Sequence, residues 1–254
     1  MRRGAYVGTA GVSNTGYPSI PMQIETINYL ARFSSQPSNT YKNALNQAIY
    51  RWKAAGVYSL LQDLWLFMAD TSADSLRNLV TAARDATISG SPTFTANKGF
   101  SGLGASNYVS MPFSATGIGS SSGMICAAWY PPGTTPSFTL GSGSGGVTTT
   151  TYASGAYGGI QWNNATNLVA AAPVGLGVDM PAIIGAVNTT AVDCDGAKGA
   201  AGTFSAFTSS PLLANTTGIK KMQAYGLMPT ASTAQVRAFL SILRSFMEDV
   251  GALT

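Results

Sequence analysis

The chain has 254 residues, of which 45% are apolar and 9% charged, with 14 Lys and Arg against 10 Asp and Glu. This length fits one large β domain with additions or two small domains, and the apolar content is sufficient for a core. The charged fraction is far below the roughly 25% of an ordinary soluble domain. The composition fits either a secreted protein kept soluble by hydroxyl groups or, as we favour, a subunit of a large assembly whose neighbours cover its surface.

The chain has no histidine, and no charged side chain occurs from Gly99 to Val178. Most enzymatic chemistry needs titratable or metal-binding groups, and this stretch offers Gly, Ser, Thr, Ala and scattered aromatic residues instead. We therefore predict a protein that is not an enzyme and that uses no cofactor and no metal.

Residues 1–38 are predicted to form an extended N-terminal arm, because Gly and Pro recur too often for long regular structure. Residues 24–30 are compatible with one short helical turn or strand. The sequence after Arg3 lacks the long apolar run of a secretory signal, so export by that route is not expected. The residues expected to anchor the arm are Arg2, Arg3, Tyr6 and Tyr17.

Positive charge is concentrated at the beginning of the chain, but only Arg2 and Arg3 form a run. Such a sparse footprint does not predict nucleic-acid binding. Two alternatives remain for the arm: it docks on an acidic partner protein, or it wraps around its own domain. No segment reaches the roughly 20 apolar residues that a membrane span needs.

Residues 39–254 are predicted to form one sandwich domain that begins and ends with a helix. In the first helix, 39–56, Leu45, Ile49 and Trp52 recur at helical spacing, with Asn39 or Thr40 as cap. In the second, 231–250, an apolar stripe recurs through seven positions, with Thr230 or Ser232 as cap and Gly251 as the end.

Between the helices, short apolar or alternating segments separated by Gly and Ser clusters predict the strands of a β-sandwich. The predicted strands are 64–68, 92–96, 107–111, 123–130, 137–140, 148–152, 159–162, 167–171, 182–187 and 220–228. The dipeptide Asp195-Gly196 is typical of a two-residue hairpin turn.

No arrangement of polar residues matches a known catalytic or metal-binding pattern. Asp63, Asp70, Asp74 and Asp85 are close in sequence, and we interpret them as polar residues at helix and strand ends. Asp193-Cys-Asp195-Gly196 lacks the downstream glutamate of a calcium loop. Cys126 and Cys194 could form one disulfide, although two buried thiols are the expected state.

The aromatic residues of the strand region that are candidates for stacking on sugar rings are Trp129, Tyr130, Tyr152, Tyr157 and Trp162, of which Tyr152, Tyr157 and Trp162 are the predicted ligand-binding residues. The alternative is that they belong to the core, which is the commoner place for aromatic residues on sandwich faces.

Several motifs together resemble a family of bacteriophage structural proteins. The motifs are Gly56–Phe67, Asp74–Leu79, Ser91–Gly104 (SPTFTANKGFSGLG), Ser106–Val109 and, near the end, Ala224–Met228 followed by the helix 231–250. The Asp195-Gly196 turn lies where members often carry Asn-Gly. The resemblance implies a concanavalin-A-like (laminin-G-like) jelly-roll sandwich, and it carries no catalytic residues.

The leading hypothesis is therefore a non-enzymatic structural component of a tailed-phage virion, made in the host cytoplasm, such as a fibre, decoration or tail subunit. It would bind other virion proteins through its arm and form a homo-oligomer, with a trimer as one form. The alternative is a carbohydrate-binding module that recognises a host-surface glycan. A sandwich-fold glycosidase ranks third, because the two glutamates, Glu25 and Glu248, lie outside the predicted sheet.

Overall fold

A computed structural model of the chain describes residues 20–103, 106–112 and 221–253, together with the backbone of nine strands between residues 123 and 217. The helices are α1 (Ile24–Leu30), α2 (Asn39–Ala54), the short α3 (Ser72–Ser75) and α4 (Thr233–Asp249). Single 3-10 turns lie at Tyr58–Leu60 and Ala82–Arg84.

The strands before residue 113 are β1 (Asp63–Leu66), β2 (Thr87–Ser89), β3 (Thr93–Thr95), β4 (Gly99–Ser101) and β5 (Tyr108–Met111). Those that follow are β6 (Gly123–Tyr130), β7 (Ser137–Leu140), β8 (Thr150–Ser154), β9 (Tyr157–Trp162), β10 (Thr166–Ala170), β11 (Ala172–Pro173), β12 (Met180–Val187), β13 (Thr190–Asp193), β14 (Leu212–Thr217) and β15 (Lys221–Met228).

These strands form three antiparallel sheets, so the fold is mainly β with added helices. The largest sheet has the order β13-β12-β6-β15-β4-β3, and β1 also pairs with β15. A second sheet has the order β2-β5-β14-β7, and a third has β9 at its centre, between β8 on one side and β10 and β11 on the other. The strand β15 therefore has partners on both edges, with β6 on one and with β1 and β4 on the other.

The pair β1–β15 is covered on both faces. Leu64, Leu66 and Ala224 belong to the core that the helices share. The alternate positions, including Trp65 and Tyr225, point to the other face, where these two rings stack 6.2 Å apart. This double burial explains why residues 64–68 read as a continuous apolar run rather than an alternating one.

The helices α2 and α4 cover one face of this sheet and pack on each other. The indole of Trp52 stacks on Phe239 with the ring centroids 4.6 Å apart, and its Nε1 donates a hydrogen bond to the Phe239 carbonyl. Further along, Tyr41 meets Phe246 edge to face at 5.7 Å. The apolar stripes of both helices are thus the contact surface, as their spacing predicts.

Both long helices agree with the sequence prediction, with small changes at their caps. Ser38, rather than Asn39 or Thr40, caps α2, and its hydroxyl accepts from the amide of Tyr41. Ser232 caps α4 in a capping box with Gln235. Gly56 and Gly251 have φ angles of 67° and 72°, the left-handed conformation expected just after a helix.

The described part of the expected arm, residues 20–38, differs from an extended segment. Residues 24–30 form α1, and Tyr29 and Leu30 are buried in the helix-covered core. The amide nitrogen of Gln23 and the hydroxyl of Thr26 both donate to Oδ1 of Asn46 in α2. Within residues 20–38, apolar side chains and these hydrogen bonds therefore fix the segment to the domain.

A close backbone approach joins β4 to β15. Gly99 has φ 93°, and a Cβ atom at this position would lie 2.1 Å from the carbonyl oxygen of Met222. The pairing of β15 is irregular between Met222 and Ala224, where Gln223 is inserted as a bulge. Residue 99 must be glycine for two reasons: its φ angle is positive, and there is no room for a Cβ atom next to the Met222 carbonyl.

Candidate functional site

Three carboxylates hold the connection between α1 and α2. Oδ2 of Asp70 accepts from the amide of Ser38 at 2.5 Å, and Oδ1 of Asp74 accepts from the amide of Ser34 at 2.7 Å. Asp85 forms an ion pair with Arg32 at 3.1 Å. The carboxylates that cluster in sequence at residues 70–85 thus attach the loop between α1 and α2 to the segment that follows β1.

Asp74 is the most enclosed of the three and serves two elements at once. Its carboxylate accepts from both the amide and the hydroxyl of Ser34 and from the hydroxyl of Thr71 at 2.7 Å. The Thr71 hydroxyl in turn accepts from the Asp74 amide and caps α3. With its oxygens occupied by donors and its side chain buried, Asp74 is a structural residue.

Asp85 is the centre of a second group of hydrogen bonds. Besides Arg32, it binds the guanidinium of Arg77 at 2.7 Å and accepts from the backbone N–H of Asn78 at 2.8 Å. Arg32 also donates to the carbonyl of Asn78, and its guanidinium lies 5.4 Å from the ring centre of Tyr29. The group links the end of α1 to the turn after α3.

Asp63 lies in β1 and is fully buried. It accepts from Nδ2 of Asn78 at 2.7 Å and pairs with the guanidinium of Arg84 at 2.7 Å. Burial raises the pKa of Asp63 to about 6, while the hydrogen bond from Asn78 and the positive charge of Arg84 act in the opposite direction. A raised pKa here has a structural cause, the desolvation of a strand residue.

All four carboxylates are engaged in contacts within the domain. Each has structural donors, and their partners come from the residues that join helices to strands. Within the part of the chain that the structure describes, no group of three or more His, Cys, Asp or Glu side chains is placed to hold a metal ion. No helix among the same residues is long and apolar enough to cross a membrane.

An exposed apolar surface lies on α1. Ile24 and Ile27 are 58% and 48% exposed, and Met22, just before the helix, is 44% exposed. Ile24, Ile27 and Ala31 share one helical face, opposite the buried face of Thr26, Tyr29 and Leu30. We call Met22, Ile24, Ile27 and Ala31 the α1 outer face.

The strand register divides the three aromatic residues predicted to bind sugars. Tyr152 of β8 lies opposite Gly159 of β9, and Tyr157 is two positions before Gly159 in β9. Opposite residues and alternate residues share a face, so the two tyrosines are on the same face of the sheet, in a diagonal relation. Trp162 is five positions from Tyr157 along β9 and therefore lies on the opposite face. The register therefore places Tyr152 and Tyr157 on one face of the sheet and Trp162 on the other.

The other predicted site residues lie outside the described residues. These are the anchoring residues Arg2, Arg3, Tyr6 and Tyr17. The turn Asp195-Gly196 and Cys194 also lie outside them, whereas Cys126 is in β6, opposite Ile184 and Tyr225 in the neighbouring strands.

No protein-family model and no curated protein matches this chain. Among solved structures, it is similar to a Trypanosoma rangeli sialidase in complex with a 2,3-difluoro-KDN (TM-score 0.48, 10% identity, 79% of this chain and 39% of that chain). It is also similar to domain 4 of AbnA, a GH43 extracellular arabinanase from Geobacillus stearothermophilus, in complex with arabinotriose (TM-score 0.46, 11% identity, 70% of this chain and 100% of that chain). A third is the binding domain of botulinum neurotoxin DC in complex with SialylT (TM-score 0.46, 10% identity, 72% of this chain and 51% of that chain). The chain spans about two fifths of the length of the sialidase chains.

Sequence reasoning missed the residue that joins two of the carboxylates. Nδ2 of Asn78 donates to Asp63, and the backbone N–H of Asn78 donates to Asp85. The side-chain Oδ1 of Asn78 accepts from the backbone amides of Val80 and Thr81. Asn78 lies within the motif Asp74–Leu79, but periodicity gives no indication of a polar residue that is buried because it binds backbone groups. The bond from the Val80 amide to Oδ1 of Asn78 makes an Asx turn. The preference of Asn for such turns is the one local signal that could have indicated this role.

Proposed function

We propose that this chain is a non-enzymatic structural component of a tailed-phage virion, a fibre, decoration or tail subunit made in the host cytoplasm. The observation that carries the non-enzymatic part is the state of the four carboxylates. Asp63, Asp70, Asp74 and Asp85 are engaged in hydrogen bonds and ion pairs that join helices to strands. The chain has no histidine that could act as a base in their place.

The resemblance to phage structural proteins supports the virion part of the proposal. Residues of the matching motifs have structural roles: Trp65 and Phe100 are buried, Asp74 and Asn78 bind backbone groups, and Gly99 permits the approach of two strands. These motifs therefore describe a fold rather than a reaction. We include in the proposal that the sheets form a concanavalin-A-like jelly roll.

Attachment to the particle is assigned to the beginning of the chain. Arg2 and Arg3 would pair with acidic groups on a neighbouring subunit, and Tyr6 and Tyr17 would add apolar contacts. The α1 outer face would add further apolar contacts, since Ile24 and Ile27 are exposed. The neighbour is another virion protein or a second copy of this chain.

The test is to purify particles from the organism's lysate and identify this chain in them by mass spectrometry. A stoichiometric band in intact particles supports the proposal, and absence from them contradicts it. A variant lacking residues 1–19 should fold but fail to join the particle. This deletion is preferable to one of residues 1–30, which would also remove Tyr29 and Leu30 from the core.

We propose glycan binding as a second function, favoured by the register of β8 and β9. Tyr152 and Tyr157 lie on one face of the sheet, and tyrosine is a residue type on whose ring a sugar ring can stack. The full chain should then retain at least one oligosaccharide on a glycan array. Failure to bind any glycan would remove this second function and leave the structural proposal unchanged.

A further inference from the structure

We propose that the α1 outer face is a contact between two copies of this chain, in which α1 of one copy packs against α1 of the other. This inference rests on the proposed structural function and deepens its attachment part by naming the partner at this face. It is carried by the exposure of the side chains on α1 and by the pairing of the charges around them.

The exposed apolar side chains gather at α1. In the part of the chain that the structure describes, five large apolar side chains are exposed, and three of them, Met22, Ile24 and Ile27, belong to the α1 outer face. The other two, Tyr50 and Ile88, lie in α2 and β2. Single exposed apolar residues are ordinary on a protein surface, whereas a group of them marks a contact with another molecule. The group on α1 is therefore where we expect a partner.

The packing of α1 keeps this face turned outward. Tyr29 and Leu30, on the opposite side of the helix, are buried in the core. Thr26 is fully buried, and its hydroxyl donates to Oδ1 of Asn46 at 3.1 Å. A rotation of the helix that buried Ile24 and Ile27 would break this bond and expose the core residues. The helix therefore cannot cover its outer face by turning.

Charge favours a second copy over a partner selected by its charge. Glu25 on α1 is bound to Lys53 of α2 at 2.8 Å. Arg32, just after the helix, is bound to Asp85 at 3.1 Å. Asn28, exposed on the same side, is polar but uncharged. The charges next to the face thus already have partners, and two copies of the face can meet without bringing unpaired like charges together. A patch that is complementary to itself is what two-fold pairing of identical subunits requires.

The small area of the face predicts a weak contact. A stable pair of proteins buries about 800 Å² on each partner. A helix of seven residues with three exposed large apolar side chains provides only part of that area. We expect a Kd of about 0.1–1 mM for isolated chains. In an assembly, where other contacts hold many copies at high local concentration, a pairing of this strength is sufficient to order neighbouring subunits.

The experiment measures the self-association of the full chain by sedimentation equilibrium, up to about 1 mM protein. The wild type should form a reversible dimer. Its Kd should change less than about two-fold between low and high NaCl concentration, because the contact contains no unpaired charge that salt could screen.

Two charge variants test whether the partner is a copy of the same chain. Ile27→Lys and Ile27→Glu each place a charge in the middle of the face, so that like charges meet across the contact. The Kd should rise at least about ten-fold for either variant alone. An equimolar mixture of the two variants brings opposite charges together, and its Kd should return to within about three-fold of the wild-type value. Recovery in the mixture is expected only where the face of one copy meets the face of another.

Ile88→Lys is the matched control, because Ile88 is an exposed isoleucine of β2, outside α1. This variant should leave the Kd unchanged. Thermal unfolding shows whether each variant is folded, and the exposure of Ile27 predicts that all of them are.

The remaining outcomes overturn the proposal. A full chain that stays monomeric at about 1 mM, a dimer that Ile27→Lys does not weaken, or a mixture that does not recover would each show that two α1 helices do not pair. A full chain that is monomeric while a variant lacking residues 1–19 dimerises would assign the face to the chain's own N-terminal segment. A monomeric chain whose incorporation into particles falls with Ile27→Lys would assign it to another virion protein. Pairing is measured in solution and the virion proposal in particles, so the failure of one is distinguishable from the failure of the other.

Discussion

The buried carboxylate of Asp63 is subject to two opposing effects. Burial disfavours its charged form, whereas Arg84 and Asn78 favour it. The balance leaves the pKa of Asp63 raised from the ordinary 3.8 to about 6. Desolvation is therefore the larger effect, and the ion pair does not fully compensate for it.

This balance has a defined consequence for stability at different pH values. Because the folded protein binds the proton more tightly than the unfolded chain, the stabilisation from Asp63 is fully present below about pH 3.8 and is lost as the pH rises through about 6. The free energy of unfolding of the wild type, minus that of Asp63→Asn, should therefore be larger at pH 4 than at pH 7. Urea titrations at both pH values measure this difference. A larger difference at pH 7 would mean that the Arg84 ion pair is the stronger effect.

The close approach at Gly99 predicts a clash that conformation alone would not cause. Gly99→Ala places a methyl group 2.1 Å from the Met222 carbonyl oxygen, so β4 and β15 must separate. Gly56→Ala is the matched control, since Gly56 has a similar positive φ but nothing within 4 Å of the added atom. We expect about 1 kcal/mol of destabilisation at Gly56 and about 1–3 kcal/mol more at Gly99. Equal losses in chemical denaturation would show that the strands adjust freely.

At the scale of elements, the contact between α2 and α4 holds the helical layer together. Phe239 is fully buried and stacks on Trp52. Phe239→Ala should lower the free energy of unfolding by about 3–5 kcal/mol, because the cavity lies between two helices that the sheet keeps in place. The exposed Tyr50 of α2 provides a comparison, for which Tyr50→Ala should change stability by less than about 0.5 kcal/mol. A small loss at Phe239 would mean that the helices can repack around the gap.

The Asp74 group connects α3 to the loop after α1. Asp74→Asn keeps the shape of the side chain but replaces one acceptor oxygen by a donor, which faces the Ser34 or Thr71 donors. We expect a loss of about 1–3 kcal/mol in unfolding free energy. Ser34→Ala should lose less, because only the hydroxyl is removed and the Ser34 amide keeps its bond to Asp74. If Asp74→Asn is as stable as the wild type, the carboxylate is not a structural acceptor.

The two long helices were predictable because their apolar residues recur over many turns, so the period is clear even without a partner. β6 and β7 begin and end where their apolar composition indicates, and β1 begins one residue early and ends two residues early. The strands β2 and β4 have three residues each, too few for a period, and Thr87 and Ile88 of β2 are exposed. Their position depends on pairing with β5 and β15, which are distant in sequence.

Prediction of the candidate sites from sequence was limited by the same distance. The interpretation of the carboxylates as residues near element ends agrees with the structure, but Asp70, Asp74 and Asp85 have partners, Ser38, Ser34 and Arg32, that lie some 30 to 50 residues earlier. The tyrosine pair depends on the register of a hairpin, which the residue types alone do not fix. Separating Trp162 from the two tyrosines required that register.

For the whole molecule, the packing of α1 into the core predicts that the effect of a truncation depends on whether α1 is kept. Removing residues 1–19 keeps all of α1, so it should lower the free energy of unfolding less than a deletion that also removes α1. Removing residues 1–30 should lower it by several kcal/mol, since two buried side chains, Tyr29 and Leu30, and the ion pair between Glu25 and Lys53 are lost. Thermal unfolding of both truncations and the full chain measures this. Equal melting temperatures for the two truncations would mean that α1 is not part of the domain.

The position of β15 within the largest sheet has a consequence for how the protein is made. This strand follows all the others in the chain, yet it pairs with β1, β4 and β6, which precede it by about 95 to 160 residues. During synthesis on the ribosome, the apolar strand β1 emerges long before its partner exists. Folding is therefore dominated by contacts between distant residues, which makes it slow, and leaves unpaired strand edges exposed to aggregation. We expect high-yield production to depend on slow translation or on chaperones that shield β1 until residues 221–228 have been made.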